Sequence, residues 1–301
     1  MTVAETVQGR GWLAAALAQT PRRTAVAVDD EVALACSVWD PPGAAPTANL
    51  LLLHGNAAQK EWWDAIAPVA AEGARVVAMD LTGHGDSPHR GDYTFAHWSA
   101  EVAAVTAALC ADAPTVLVGH SLGGLIALAA AWDRPGRYAG VITLDTPLRR
   151  YTPQQLAKRH AIAQRPLQRH PRLDDAVAAF RTVPDAVDAP PALLAHIAEH
   201  AHRRGDGGWV LKLDPALYAR TTDVDAFLRP FPPHTYCVRA EHGFIDESML
   251  AEIAPHTAGA DRIVTVPAVG HNLLIEAPLA TAWMIRALSA QILRDPVRAQ
   301  R

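Results

Sequence analysis

Apolar and polar positions along this chain alternate between two kinds of pattern. TAVAVDDEVALACSVWD (24–40) holds two β-rich runs around Asp29–Asp30, which predicts a hairpin. After the loop PPGAAPTA comes NLLLLHGN (49–56), a short continuous apolar run ending at glycine, as a strand buried on both faces reads. EWWDAIAPVAAEG has helical period and leads into a second buried run, ARVVAMD (74–80), and the Gly-rich turn LTGHGDSP. A long amphipathic helix is predicted over roughly 94–111, followed by the strand TVLVGHS, the helix LGGLIALAAAWDRP and the strand GVITLDTP (140–147). Strands alternating with helices over 50–147 imply βαβ units and a parallel sheet.

The alternation then stops. From about Thr146 to Pro233 the chain is rich in Pro, His and Arg, with several helical patterns and no buried strand. HTYCVRAEH (234–242) restores the strand pattern, and ESMLAEIA, RIVTVPA and a helix near 279–294 complete it. The reading is an α/β core formed by 1–146 and 234–301, interrupted by a largely helical insertion over 147–233. No internal repeat is evident.

Half of the 301 residues are apolar, enough for one large core. The formal charge of −4 gives no reason to expect nucleic acid or acidic lipid as a partner. Cys36, Cys110 and Cys237 are far apart in apolar runs and read as buried thiols of a reducing compartment. The apolar patch WLAAALA (12–18) is short for a signal sequence, and its arginine pair comes after it. No stretch approaches the length of a membrane span. A cytoplasmic protein with a small-molecule ligand is expected.

VGHSLGG (118–124) changes the picture. A strand, a Gly-flanked turn and a helix place Ser121 at the tip of a G-x-S-x-G elbow. The helix N-terminus beneath it favours negative charge developing there. A second donor for an oxyanion is expected from the backbone N–H of Asn56, after His54-Gly55, beside that of Leu122. A serine needs a base. His271, in VGHNLLIEAP (269–278), follows the last strand and comes last in chain order, as this architecture requires.

These motifs resemble the α/β-hydrolase superfamily, in its capped serine-esterase-like branch. HGN (54–56), DLTGHGDSP (80–88), GHSLGG (119–124) and GHNLLIEAP (270–278) match in order and spacing. The resemblance implies a mostly parallel eight-stranded sheet flanked by helices, with a helical cap inserted after strand 6, here 147–233. Ser121 sets the chain apart from dehalogenases and epoxide hydrolases of this fold, which carry aspartate there. Two departures stand out. Ala57 replaces the proline of the commoner HGxP, and Gly243 occupies the place where the family usually carries its acid. The acid partner of His271 is then Asp145, at the end of the sixth strand where some relatives carry it, or Asp246, or is absent. Asp145 can equally cap the entry to the insertion. Glu241 is expected to point away or to pair with Arg239.

Trp62 and Trp63 follow the oxyanion loop and are candidates to line the cleft. HIAEH (196–200) spells an inverted zinc-protease pattern, but its third ligand and strand context are missing, so His196 and His200 read as cap-helix residues. No cofactor or metal is required. The expected activity is hydrolysis of an ester-like bond (ester, thioester or lactone) in a small, mainly apolar substrate, through Ser121, His271 and an acid. Carbon–carbon bond hydrolysis or lyase chemistry could run on the same residues. With no acid at Gly243, a ligand receptor with little or no turnover is the alternative from another class.

Overall fold

The computed structural model describes residues 11–43 and 45–294. Ten strands are present among them: β1 (Arg22–Ala27), β2 (Ala33–Trp39), β3 (Ala48–Leu53), β4 (Ala74–Met79), β5 (Thr115–His120), β6 (Gly140–Leu144), β7 (His202–Gly205), β8 (Gly208–Leu211), β9 (Thr235–His242) and β10 (Ile263–Gly270). Eight form one sheet in the order β1-β2-β4-β3-β5-β6-β9-β10. Only β2 runs against its neighbours. The rest are parallel, so the expected eight-stranded, mostly parallel sheet is what the chain forms.

The continuous apolar runs become the central strands. Every residue of β3, β5 and β6 is buried. Because successive side chains of a strand point to opposite faces, Leu50 and Leu52 pack on one face with Trp63, Ile66 and Ile285. Leu51 and Leu53 pack on the other with Trp98, Val102 and Ile126. The helix Leu122–Asp133 is apolar all round and almost wholly buried, the pattern of a core helix. At the sheet edge, Asp29 Oδ1 accepts from the N–H groups of Glu31 and Val32 and closes the β1–β2 hairpin. The WLAAALA patch forms the helix Trp12–Leu17, whose Trp12, Leu13 and Leu17 pack on the core. The three cysteines are free and buried.

Between β6 and β9 lie the helices Pro153–Ala163, Leu173–Ala179 and Pro191–His200, and one element that the sequence pattern does not predict as a pair: the antiparallel hairpin β7–β8. Both strands are only four residues long, and β7 (HRRG) is largely exposed and polar, so the pair lacks a joint apolar signature. Gly207 and Gly208, at φ 78° and 126°, make its turn, a backbone region where side chains are strained. The segment docks on the core through the N–H of Gly85 to the Lys212 carbonyl (2.8 Å), Tyr93 Oη to Asp214 (2.6 Å) and Gln59 Nε2 to the Ile197 carbonyl (3.0 Å). Among the described residues no helix is long and apolar enough to cross a membrane.

The loops after β3 and β4 are tied together by buried charge. Lys60, 2 % exposed, donates Nζ to Asp80 (2.8 Å) and Asp86 (2.6 Å) and pairs with Glu61 (3.0 Å). Arg23 reaches Glu61 from β1 (2.6 Å), and Lys212 reaches Asp86 (2.5 Å). Burial opposes the Lys60 charge, but Asp80 and Glu61 outweigh it and raise its pKa. Gly85 has to be glycine, since a Cβ there would lie 2.2 Å from Asp80 Oδ2. Removing one member of such a network strands the others in a dry interior. Lys60→Met is therefore expected to cost about 3–5 kcal/mol, read as a lowered urea midpoint. A midpoint within experimental error of the parent would show the network to be energetically idle.

Candidate active site

Ser121 sits between β5 and the helix Leu122–Asp133 at φ 52°, ψ −115°, a conformation of the strained kind. Its N–H donates to the Leu144 carbonyl of β6 (2.9 Å), which holds the elbow against the neighbouring strand. The flanking glycines are steric necessities. A Cβ on Gly119 would lie 2.2 Å from the Gly123 carbonyl oxygen, and one on Gly123 would lie 2.2 Å from that of Leu53.

Asp145 follows β6, one strand away from Ser121, at φ 41°, which Asp tolerates better than most residues. Its N–H donates to the Val238 carbonyl (2.7 Å). Its fully buried carboxylate accepts three hydrogen bonds, from the N–H of Ala240 (3.1 Å), the N–H of Phe244 (2.8 Å) and His271 Nδ1 (2.6 Å). Burial opposes its ionisation, but the bond to His271 and those to Phe244 and Ala240 outweigh it and hold the pKa below the ordinary range.

The missing side chain at 243 has its explanation here. A Cβ on Gly243 would lie 2.4 Å from both Asp145 carboxylate oxygens. The Asp145 carboxylate occupies the space that an acid at 243 would need. Asp246 lies elsewhere: exposed, it caps the helix Glu247–Ile253 by accepting from the N–H of Met249 (2.8 Å). Of its two expected courses, Glu241 takes the one that leaves Asp145 and His271 aside: exposed, it accepts from the N–H of Ala268 (2.7 Å) at a register shift in β10, while Arg239 bonds Thr265 and Glu247.

His271 is 4 % exposed, its ring stacked on Phe244 (centroids 3.9 Å apart). His120, inside the elbow motif, bonds the His271 carbonyl through Nε2 (2.9 Å). Burial, reinforced by the neighbouring His271, lowers the His120 pKa to about 3, so it is a neutral donor. His54 is also buried, with its pKa lowered to about 4 mainly by desolvation. It accepts the N–H of Leu81 (3.1 Å) and so ties the loop after β3 to that after β4. Neither His120 nor Phe244 is singled out by motif. Their roles come from contacts across more than a hundred residues or from a loop that folds back.

Two cavities, of about 230 and 210 Å³, meet at Ser121, His271, Asn56 and Ala57. Among the described residues no hydrogen bond joins Ser121 Oγ to His271, a contact of the kind that tightens on substrate binding. The Gly55 backbone abuts the nucleophile, for a Cβ at that position would meet His120 Nδ1 at 2.9 Å and Ser121 Cβ at 3.3 Å. Ala57 stands at φ 60°, which a proline ring cannot reach, so the departure from HGxP is a real change of loop conformation. Leu122 opens its helix, where an N–H has no acceptor within the helix. Trp62 lines the first cavity and stacks on His120 (6.4 Å). Trp63, its neighbour, is instead fully buried in the core and lines neither cavity. In HIAEH, His196 Nε2 contacts Asp64 (2.8 Å) and His200 Nδ1 bonds the His196 carbonyl (2.8 Å), a docking contact onto the core. Among the described residues no group of three His, Cys, Asp or Glu side chains is placed to hold a metal ion.

A profile of the Alpha/beta hydrolase family matches residues 50–282. The chain belongs to that family. This α/β-hydrolase is 30 % identical over 257 residues to Lipase LipV of Mycobacterium tuberculosis, covering 81 % of this chain and 94 % of that protein. It is 37 % identical over 103 residues to the Pyrethroid hydrolase of Sphingobium wenxiniae, a match to 33 % of this chain and 36 % of that one. Among solved structures, an esterase from Mycobacterium tuberculosis superposes with TM-score 0.70 at 24 % identity, covering 96 % of this chain and 95 % of that chain. A thioesterase domain from the curacin biosynthetic pathway gives 0.71 at 23 %, covering 89 % and 99 %. At such identities these structures show the shared fold.

The buried neutral histidines set a pH dependence for this α/β-hydrolase. With folded-state values of about 3 and 4, His120 and His54 stay neutral while an unfolded chain takes up protons below about pH 6.5. Their contribution is complete above that value and is lost as pH falls toward their folded-state values. Urea unfolding free energy is expected to decline steadily from pH 6.5 to 4.5, by up to about 1.4 kcal/mol per pH unit for each histidine. A flat profile over that window would contradict the assignment.

Proposed function

We propose that this chain is a serine hydrolase of ester-like bonds, with Ser121 as nucleophile, His271 as base and Asp145 as its acid partner. The observation that carries the reading is the 2.6 Å contact of His271 Nδ1 with a buried, thrice-bonded Asp145 beside the elbow serine. Asp145 fixes the tautomer, leaving Nε2 to take the Ser121 proton as Oγ attacks the carbonyl carbon. The tetrahedral oxyanion accepts from the backbone N–H groups of Asn56 and Leu122, each worth about 3 kcal/mol of transition-state stabilisation. Collapse expels the alcohol, which takes its proton from His271 Nε2. Water activated by the same nitrogen then attacks the acyl-enzyme and releases the acid and Ser121. Relatives named lipase and esterase support ester over other bonds. Residues 147–233 act as a cap that selects substrate, supported by their contribution of Phe180, Val183 and Tyr218 to the cavities.

The receptor alternative rested on a missing acid, and the Asp145 contact removes its motive. A zinc role for HIAEH is disfavoured by His196 being engaged with Asp64.

A fluorophosphonate probe is expected to label Ser121 and to lose all labelling in Ser121→Ala; labelling at another serine sinks the nucleophile assignment. Asp145→Asn should lower kcat by as much as about 10⁴-fold, while Asp246→Asn, a loss of one helix cap of about 1 kcal/mol, stays within a few-fold in kcat. The reverse ranking would move the acid to Asp246.

A further inference from the structure

The two cavities that meet at Ser121 differ in character. The first combines the apolar Trp62, Phe180, Leu211 and Leu213 with polar residues, and its two cations are engaged, Lys212 with Asp86 and Arg181 with backbone carbonyls. The second carries Arg149, Arg159 and Arg220 with Tyr151 and Thr222, and no acidic residue lines it. Such a concentration is unexpected in a chain with 31 acidic against 27 basic residues.

Several arginines elsewhere are paired with carboxylates: Arg23 with Glu61, Arg75 with Asp40 and Asp112, Arg150 with Glu252 and Asp225. Others, such as Arg169 and Arg181, bond backbone carbonyls. Among the described residues Arg149, Arg159 and Arg220 make no close ion pair with a carboxylate, although Asp246 lies within electrostatic reach of Arg149. Each lies instead against an aromatic ring: Arg149 over Phe244 (3.7 Å), Arg159 over Tyr151 (4.6 Å), Arg220 over Phe95 and Trp98 (5.1 and 5.3 Å). Ring faces hold a guanidinium without neutralising it. The Nε groups of Arg159 and Arg220 are buried and lack any hydrogen-bond partner. An unpaired buried donor on a charged group is costly, and a ligand oxygen or an ordered water in the cavity would supply the acceptor. Arg220 is kept in place by its bond to Thr222 (2.9 Å). Burial, and then repulsion from Arg159, lowers its pKa to about 10, which leaves it cationic at neutral pH.

We propose that the second cavity is an anion subsite, so that the ester cleaved at Ser121 carries a carboxylate or phosphate group on one arm and an apolar group on the other. This rests on the hydrolase reading above and narrows its substrate class. Guanidinium groups suit such oxyanions because their planar donors match them in pairs.

Calorimetric titration of the full chain carrying Ser121→Ala tests the subsite without turnover. Monomethyl glutarate and monoethyl phosphate are the two anionic probes, and dimethyl glutarate is the neutral control. At least one anion is expected to bind tenfold or more tightly than the diester, and the tighter of the two identifies the group. Adding Arg159→Gln, on the partly exposed helix Pro153–Ala163, or Arg220→Gln should weaken that anion at least tenfold. Arg172→Gln, remote and near Asp174 and Asp175, should not. Equal binding of anions and diester, or a preference that survives both Arg159→Gln and Arg220→Gln, overturns the proposal. Failure of the hydrolase reading shows separately, as absence of Ser121-dependent turnover of any ester by the parent protein.

Discussion

The contact between His271 Nδ1 and Asp145 Oδ2 is the constraint around which the strand ends are arranged. For it to form, the chain leaving β6 must turn through a positive φ, and β9 and the loop after it must each offer one N–H group while presenting no Cβ at 243. β10 must break its register before His271, which Ala268 at φ 56° and the Glu241 bond accomplish. Buried carboxylates are tolerated only when their acceptor sites are filled, and Asp145 fills its own from two separate segments, 240–244 and His271. The parallel sheet makes this possible by bringing the C-terminal ends of β5, β6, β9 and β10 side by side.

A second layer of polar contacts holds the loops that face this site. The Lys60 network joins the loop after β3 to the loop after β4 and, through Lys212, to the segment between β6 and β9. His54 and Gln59 add neutral bonds to the same purpose. The contacts are buried beside Ser121 and His271 and the wall above them is more open. Val183, on the shared wall of both cavities, is 83 % exposed.

How much of this was legible in the sequence follows from the range of each interaction. Continuous apolar runs are local, so β3, β5 and β6 could be read directly, as could the elbow around Ser121. The pairing of β7 with β8 was not, because HRRG and GWVL carry no alternation that marks a buried pair. Trp62 and Trp63 are adjacent in sequence yet face a cavity and the core, a distinction that only the geometry of the short helical turn Lys60–Trp63 makes. Two acids remained open for His271 because their separation depends on whether a loop folds back. The complementarity that separates them, a glycine at 243 against a carboxylate from 145, spans nearly a hundred positions and leaves no local trace. The three arginines of the second cavity are likewise scattered from 149 to 220 without period.

The exclusion between a side chain at 243 and the carboxylate of Asp145 bears on how such a site can change over generations. A lineage that gained an acid at 243 first would force two carboxylates into room for one. A lineage that lost Asp145 first would leave His271 without its partner. Either order passes through an impaired ancestor, so on the proposed mechanism the acid's present address is historically sticky, and the loop after β9, which owes the site one glycine and the N–H and ring of Phe244, is free to drift in sequence only around them.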